Sequence, residues 1–188
     1  MEVTTFAGAA ALIREELDRA LASVDGKQAE DAVQALCSAE RVFVVAVGRV
    51  LLSLSAFAKR LNHLGIPAVP VGAIDEPPAT PRDLVVVASG SGESIVPVAI
   101  AGKARSLGAR VLYIGSNQES AAAHLADLHL RIPCPTRLRR PDEIPSRQPL
   151  TSLFEQALLL TCEALSLMIL DRKGMDPNAL WQAHANLE

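Results

Sequence analysis

The sequence predicts a three-layer α/β/α protein, doubly wound around a five-stranded parallel sheet. Three observations indicate this. Short runs rich in β-branched residues alternate with helical segments along most of the chain, which is the pattern of a doubly wound sheet with right-handed crossovers. Runs such as "RVFVVAV" and "DLVVVAS" are continuously apolar, as parallel strands covered on both faces are. The length of 188 residues suits one domain with a sizeable core.

Each element follows from a local pattern. Phe6, Ala10, Ile13, Leu17 and Leu21 recur at helical spacing, and comparable stretches predict helices at residues 6–24, 28–39, 51–64, 94–107, 119–127, 152–172 and 177–185. We expect the strands at residues 41–47, 68–72, 83–89, 110–115 and 128–133. We therefore predict a single domain over residues 1–188, with a helical segment at about 1–40 and closing helices within 151–186.

Residues 133–149, "PCPTRLRRPDEIPSRQP", interrupt this alternation. They contain five prolines and a cluster of charge. We interpret them as a long surface loop, a kind of segment that is usually functional or disordered in a compact domain.

Composition excludes several classes of function. The net charge of −3 and the six aromatic residues argue against a nucleic-acid partner. Three widely spaced cysteines give no zinc pattern and fit a reducing compartment. The N-terminus lacks the basic start of a signal peptide, and acidic residues interrupt the longest apolar stretch, so we expect no membrane span. We predict a cytoplasmic protein, and its 49% apolar content favours a homo-oligomer.

A hydroxyl-rich segment, "SGSGES" at residues 89–94, follows the third predicted strand and leads directly into a helix. In open α/β sheets ligands bind beyond the carboxyl ends of the strands, and the free N–H groups at a helix N-terminus attract anions. Gly90 and Gly92 let the backbone approach a ligand, and Ser89, Ser91 and Ser94 offer hydroxyl groups. The segment favours a phosphate monoester on a small molecule, because it lacks the Lys and the pattern of a nucleotide triphosphate site.

A simpler interpretation remains open from the residues alone. Ser94 would cap the following helix, and the glycines would form a turn. A nucleotide-binding Rossmann site is set aside, because the G-x-G-x-x-G spacing with an acid about 20 residues later is absent.

The segment "SGSGES", followed by "GARVLYIGSNQESAAAHLADLHLRIP", resembles the sugar isomerase (SIS) domain family. "FVVAVGR", "RLNHLG", "PLTSLFEQALLL" and the terminal "HANLE" are similar in order and spacing to its 6-phospho-3-hexuloisomerase branch. The resemblance covers nearly the whole chain. It implies the SIS fold with flavodoxin-like strand order and a tetramer whose pockets lie at subunit interfaces.

The implied activity is the interconversion of D-arabino-3-hexulose 6-phosphate and fructose 6-phosphate through a C2–C3 enediol, in the ribulose monophosphate pathway, without a metal or organic cofactor. By resemblance, Ser89, Ser91 and Ser94 hold the phosphate with the backbone of Gly90 and Gly92. Gly48, Arg49 and Glu93 are implied to line the same substrate pocket.

The resemblance implies Glu155 as the catalytic base, with His63 and His184 moving protons between the substrate oxygens, each from either subunit. Other interpretations stand beside these roles. "SLFE" is also a capping box, with Ser152 as the cap and Glu155 reaching back to it. A histidine near a helix end often only packs or caps, and we interpret His124 and His129 as structural.

The chain departs from the family pattern at the pocket. The first loop of the family reads Gly-x-Gly-Arg-Ser, and here Ala46 and Val50 replace its first glycine and its serine. One hydroxyl donor is lost, which costs about 1–3 kcal/mol of binding where a buried contact disappears. Two further interpretations therefore stay open: an isomerase of another sugar phosphate, and a non-catalytic phosphosugar sensor.

Overall fold

A computed structural model describes residues 4–187 and contains one sheet of five parallel strands. Their order across the sheet is β2-β1-β3-β4-β5, which confirms the doubly wound, flavodoxin-like prediction. The strands are β1 Val42–Val45, β2 Ala68–Pro70, β3 Leu84–Ala88, β4 Arg110–Gly115 and β5 Leu128–Arg131.

Six α-helices and a closing 3-10 helix accompany the strands in the described part of the chain. Side-chain caps begin several of them: Thr5 accepts from the Gly8 N–H, and Asp25 accepts from the N–H groups of Lys27 and Gln28. The helices are α1 Phe6–Ala22, α2 Gly26–Ser38, α3 Gly48–His63, α4 Ile95–Ser106, α5 Ala121–His124, α6 Ser152–Arg172 and the 3-10 helix Pro177–Ala183.

Two predicted helices differ from the structure. The fifth, predicted over nine residues, is a single turn, because the chain must reach β5 at once and Asp127 accepts a hydrogen bond from the Val111 N–H of β4. The last is a 3-10 helix rather than an α-helix. None of its residues is fully buried and only Leu180 packs against the core, so little core packing stabilises the longer α-helical form.

Alternate residues of the strands enter two separate cores, as the two-residue period of a strand requires. Val42 and Val44 of β1 join the core formed with α1, α2, α3 and α6, whereas Phe43 and Val45 join the core formed with α4 and α5. The sheet therefore lies between two helical layers, and the three-layer prediction is confirmed.

Among the described helices, α6 is long and apolar enough to cross a membrane. Length and composition alone do not separate such a helix from the core helix of a globular protein. Half of its most apolar stretch is buried within the chain, and it packs against α1, α2 and α3. We interpret α6 as a core helix.

The strand order reverses between β1 and β3, because the chain leaves β1 toward β2 on one side and returns to β3 on the other. The helices that follow these two strands, α3 and α4, lie on opposite faces of the sheet. A crevice opens at such a point beyond the carboxyl ends of the strands. The candidate site occupies it.

Candidate active site

A cavity of about 490 Å³ lies at this switch point. The ends of β1 and β3, the starts of α3, α4 and α6, and part of residues 133–149 form its walls. Of the predicted site residues, the structure brings together around the cavity Gly48, Arg49, Ser89, Gly90, Ser91, Glu93, Ser94 and Glu155.

The Ser-Gly loop, residues 89–94, is held in shape by its own hydroxyl groups and by groups in and after β4. The Ser89 Oγ accepts from the Gly92 N–H at 3.1 Å and lies 3.2 Å from the Ser94 Oγ. The Ser91 Oγ accepts from the Glu93 N–H at 3.3 Å. From the sheet, the buried Tyr113 hydroxyl donates to the Ser89 carbonyl oxygen at 2.9 Å. The loop is thus an ordered cradle.

Gly92 is required by its surroundings, and Gly90 is closely packed. Gly92 has φ +70°, and a Cβ there would lie 1.9 Å from the Ser120 Oγ and 2.7 Å from the Tyr113 hydroxyl oxygen. A Cβ on Gly90 would meet the Thr136 methyl group at 3.3 Å and the Phe154 ring at 3.5 Å. Their absent side chains allow close packing of the cradle against its neighbours.

None of the three helices that begin at the cavity, α3, α4 and α6, has a side-chain cap. Ser94 is the N-cap of α4 and Val47 that of α3, and neither side chain accepts a hydrogen bond from its own helix. Ser94 therefore does not use its hydroxyl as a cap, which removes the simpler interpretation of that residue. The first N–H groups of α3 and α4 carry partial positive charge and have no intrahelical partner. The two helix starts favour an anion in the cavity.

Glu155 faces the cradle across the cavity from the first turn of α6 and is only 8% exposed. Its Oε2 pairs with the Arg49 guanidinium, and its Oε1 accepts from the Thr151 hydroxyl at 3.0 Å. The capping-box prediction is wrong in its detail, because Thr151 rather than Ser152 is the N-cap and Glu155 does not reach back to a backbone N–H. The carboxylate is instead held by side chains at the cavity.

Glu93 also lines the cavity, but its Oε1 accepts from the Ala121 N–H at 3.1 Å, at the start of α5. This contact ties the Ser-Gly loop to α5. A role for Glu93 in substrate binding stays a prediction.

The two predicted histidines lie together, away from this cavity. His63 ends α3 while Arg49 lies in its first turn, so the two residues are about 21 Å apart along a helix that rises ~1.5 Å per residue. The rings of His63 and His184 are 5.6 Å apart, and Trp181 lies 5.3 Å from His184. Within one chain the histidines do not reach Glu155. Their catalytic role stays a prediction that requires a neighbouring subunit.

The environment of His63 keeps its ring neutral. Burial, with the nearby charges of Lys59, Arg60 and His184, lowers the pKa of His63 below its ordinary 6.5. Its Nε2 is buried without a hydrogen-bond partner among the described residues. A neutral imidazole of this kind both donates and accepts protons near pH 7.

Several residues of the cavity were not singled out from the sequence. Thr136 and Arg137 line it from residues 133–149, and Phe154 lines it from the start of α6. The length and clustered charge of "RLRRPDE" were the available signal, but nothing in the sequence indicated which of its arginines turns inward.

In residues 4–187 no three His, Cys, Asp or Glu side chains converge as metal ligands. The prediction that neither a metal nor an organic cofactor takes part stays a prediction.

The fold and the site define the class: a doubly wound α/β protein whose switch point carries a hydroxyl-lined anion cradle opposite a carboxylate. Comparison with known families makes this specific. The model of the SIS domain matches residues 35–161, and the chain belongs to the SIS domain family.

Named relatives match almost the whole chain. A 3-hexulose-6-phosphate isomerase of Bacillus subtilis (strain 168) is 36% identical over 176 residues, covering 94% of this chain and 95% of the relative. One of Mycobacterium gastri is 36% identical over 177 residues, covering 94% and 88%. A solved structure from Methanococcus jannaschii, described as inferring the same function for that protein, superimposes with a TM-score of 0.83 at 22% identity, covering 96% and 99%. That last likeness supports the fold.

Proposed function

We propose that this protein is a sugar-phosphate isomerase that converts D-arabino-3-hexulose 6-phosphate to fructose 6-phosphate. The observation that carries the proposal is the cavity itself, in which the ordered Ser-Gly cradle and two uncapped helix starts lie opposite the Arg49-paired carboxylate of Glu155. This is the activity for which the relatives at 36% identity are named.

In the proposed complex the phosphate lies in the cradle. Ser89, Ser91 and Ser94 reorient their hydroxyl groups toward its oxygens, and the N–H groups at the starts of α3 and α4 stabilise its charge. Hydrogen bonds within the chain fix the backbone of the cradle, so little ordering is required on binding.

Glu155 acts as the base. It removes the proton from C2 of the 3-ketose, and the electron pair forms the C2–C3 enediolate with its charge on the C3 oxygen. The same carboxyl returns the proton to C3, while the proton of the C2 hydroxyl passes to the C3 oxygen, leaving the carbonyl at C2. The Arg49 guanidinium lies beside Glu155. Its positive charge is therefore close to the substrate carbons and stabilises the negative charge of the enediolate.

His63 and His184 of a neighbouring subunit are proposed to move the hydroxyl proton. The neutral state of the His63 ring and its unpartnered Nε2 support this role. The proposal therefore includes a homo-tetramer with its pockets at subunit interfaces.

Exposed apolar side chains support an oligomer. Leu167 of α6 is 67% exposed and Leu52 of α3 is 69% exposed, and their burial between copies would remove apolar surface from water. Light scattering coupled to gel filtration measures the assembly directly. A monomer at micromolar concentration would remove the shared pocket and the catalytic role of both histidines.

We also place the protein in the cytoplasm. Cys37, Cys134 and Cys162 are all free thiols, and burial raises the pKa of Cys134 to about 12 and that of Cys162 well above its usual range. Protonated, buried thiols are unreactive and fit a reducing compartment.

The test is the formation of fructose 6-phosphate from D-arabino-3-hexulose 6-phosphate by the wild type and by Glu155→Gln. Loss of the base should lower kcat about 10²- to 10⁴-fold. Glu163→Gln is the matched control, because Glu163 lies on the same helix but is half-exposed and contacts Arg60 outside the cavity.

Exchange of substrate protons with solvent distinguishes the remaining alternatives. Tight phosphosugar binding without turnover or exchange would make the protein a sensor and contradict the proposed function. Turnover of a different phosphosugar, with the same dependence on Glu155, would correct the substrate and retain the mechanism.

A further inference from the structure

Arg137 lines the cavity but has no role in the proposed isomerisation. It is exposed, lies on residues 133–149 and lines the cavity together with the Ser-Gly loop. Within residues 4–187 its guanidinium makes no hydrogen bond or ion pair. The other charged side chains lining the cavity are engaged: Arg49 with Glu155, and Glu93 with the Ala121 N–H.

The other charges around the cavity do not neutralise a bound phosphate, so a free cation such as Arg137 would stabilise it. Arg49 and Glu155 cancel each other, Glu93 adds one negative charge, and the cradle contains no Lys. A phosphate monoester brings nearly two negative charges at neutral pH, whereas each helix start supplies only about half a positive charge. An unpaired guanidinium at the wall reduces this excess of negative charge.

Hydrogen bonds of neighbouring residues fix the backbone at Arg137. The Thr136 methyl group packs over Gly90 of the cradle. The Thr136 Oγ1 donates to Glu143 at 2.6 Å, and the Thr136 N–H donates to the other oxygen of the same carboxylate at 3.1 Å. The Leu138 N–H then donates to the Thr136 Oγ1 at 3.1 Å. Glu143 therefore fixes the backbone on either side of Arg137 against the cradle.

We propose that Arg137 binds the phosphate group of the substrate, as the cation of the cradle, and that Glu143 is its positioning residue. A guanidinium suits this task because its planar fork donates two parallel hydrogen bonds to phosphate oxygens. The inference rests on the proposed function only in taking a phosphosugar as the ligand. It requires no turnover.

Calorimetric titration with fructose 6-phosphate and with inorganic phosphate tests the assignment. Arg137→Gln should weaken the binding of both about 10- to 100-fold, as loss of a charge-assisted hydrogen bond does, and Arg137→Lys should lie between. In the isomerase assay the change should appear in KM with kcat within a few-fold of wild type. Arg139→Gln is the matched control: it removes the same charge two residues away, from a side chain that does not line the cavity, and should change binding less than about twofold.

Glu143→Gln tests the positioning role. It should raise the Kd for fructose 6-phosphate several-fold in the wild type and add little in the Arg137→Gln background, because both changes act through the same guanidinium. Thermal unfolding of each variant, followed by circular dichroism, checks that the fold is retained.

Three outcomes would overturn the inference: Arg137→Gln binding fructose 6-phosphate as the wild type does, Arg139→Gln weakening it equally, or a wild type that binds neither ligand. Failure of the proposed function looks different. A wild type that binds fructose 6-phosphate in an Arg137-dependent manner but does not isomerise the hexulose phosphate would retain the inference and remove the activity.

Discussion

The two walls of the cavity are ordered in different ways. The Ser-Gly loop is shaped by hydroxyl and backbone groups within a few residues of each other, such as the Ser89 Oγ and the Gly92 N–H, and is tied to β4 by the Tyr113 hydroxyl. Residues 133–149 have a local contact between Thr136 and Glu143, but their C-terminal part is held by a group far away in the chain. The buried carboxylate of Glu16, on α1, accepts from the Ser146 hydroxyl at 2.6 Å, from the Arg147 N–H at 2.8 Å and from the Gln148 side chain at 3.0 Å.

The difference explains which wall of the cavity can be recognised in a sequence. A cradle made by short-range contacts appears as a compact motif of glycines and hydroxyl residues. The C-terminal part of residues 133–149 has no local motif for its anchor, because Ser146 and Glu16 are 130 residues apart in the chain. The proline-rich segment is nevertheless an ordered wall and not a free linker.

The largest expected effect comes from a substitution in the Ser-Gly loop. Gly92→Ala places a Cβ 1.9 Å from the Ser120 Oγ at φ +70°, so we expect more than ~2 kcal/mol of destabilisation and more than tenfold weaker phosphosugar binding. Chemical denaturation and calorimetry measure the two.

Gly102→Ala is the matched control for this change. Gly102 lies inside α4, where the nearest atom to an added Cβ is 3.9 Å away, and alanine there should stabilise by about 0.5–1 kcal/mol. Equal behaviour of the two variants would mean that the cradle tolerates rearrangement.

A smaller effect is expected from weakening the contacts between Glu16 and residues 146–148. Glu16→Gln removes the charge that accepts three hydrogen bonds, and should lower the free energy of unfolding by about 1–3 kcal/mol while raising KM several-fold through Arg137. Glu15→Gln, at an exposed neighbouring position, should change neither. An unaltered KM in Glu16→Gln would show that residues 133–149 keep their place without α1.

The same carboxylate predicts a pH dependence. Burial by itself raises the pKa of Glu16, but the hydrogen bonds from Ser146, Arg147 and Gln148 outweigh it and lower the pKa below the ordinary 4.5. Such a group stabilises the fold above pH 4.5 and loses this contribution as the pH falls through its lowered value. The stability difference between wild type and Glu16→Gln should therefore shrink below pH 4.5 in denaturation measured across pH, and a constant difference would contradict the assignment.

The smallest effect concerns Val50, which lines the cavity where the family pattern has a serine. Val50→Ser should tighten phosphate binding about 2- to 10-fold, because one added hydrogen bond contributes about 0.5–1.5 kcal/mol. Val50→Ala, which shortens the side chain without adding a hydroxyl, is the control. Weaker binding in the serine variant would place the ligand away from α3.

Much of the fold was predictable because its signals are local. Continuously apolar strands, amphipathic helices and the hydroxyl segment after β3 are periodic or compact patterns, and the five-stranded parallel sheet follows from them. The one-turn α5 and the exposed 3-10 helix were mispredicted. A helix is cut short where the next strand begins at once, and it changes form where few of its side chains pack against the core.

The sequence by itself determined the layers of this protein, the cradle at residues 89–94 and, through the family motif, the carboxylate of Glu155. Tertiary structure alone decided that Thr151 and Arg49 hold that carboxylate, that His63 and His184 lie together away from it, and that Arg137 turns toward the cradle. The physical reason is sequence separation: Arg49 and Glu155 are 106 residues apart in the chain, and only packing of α3 against α6 brings them together.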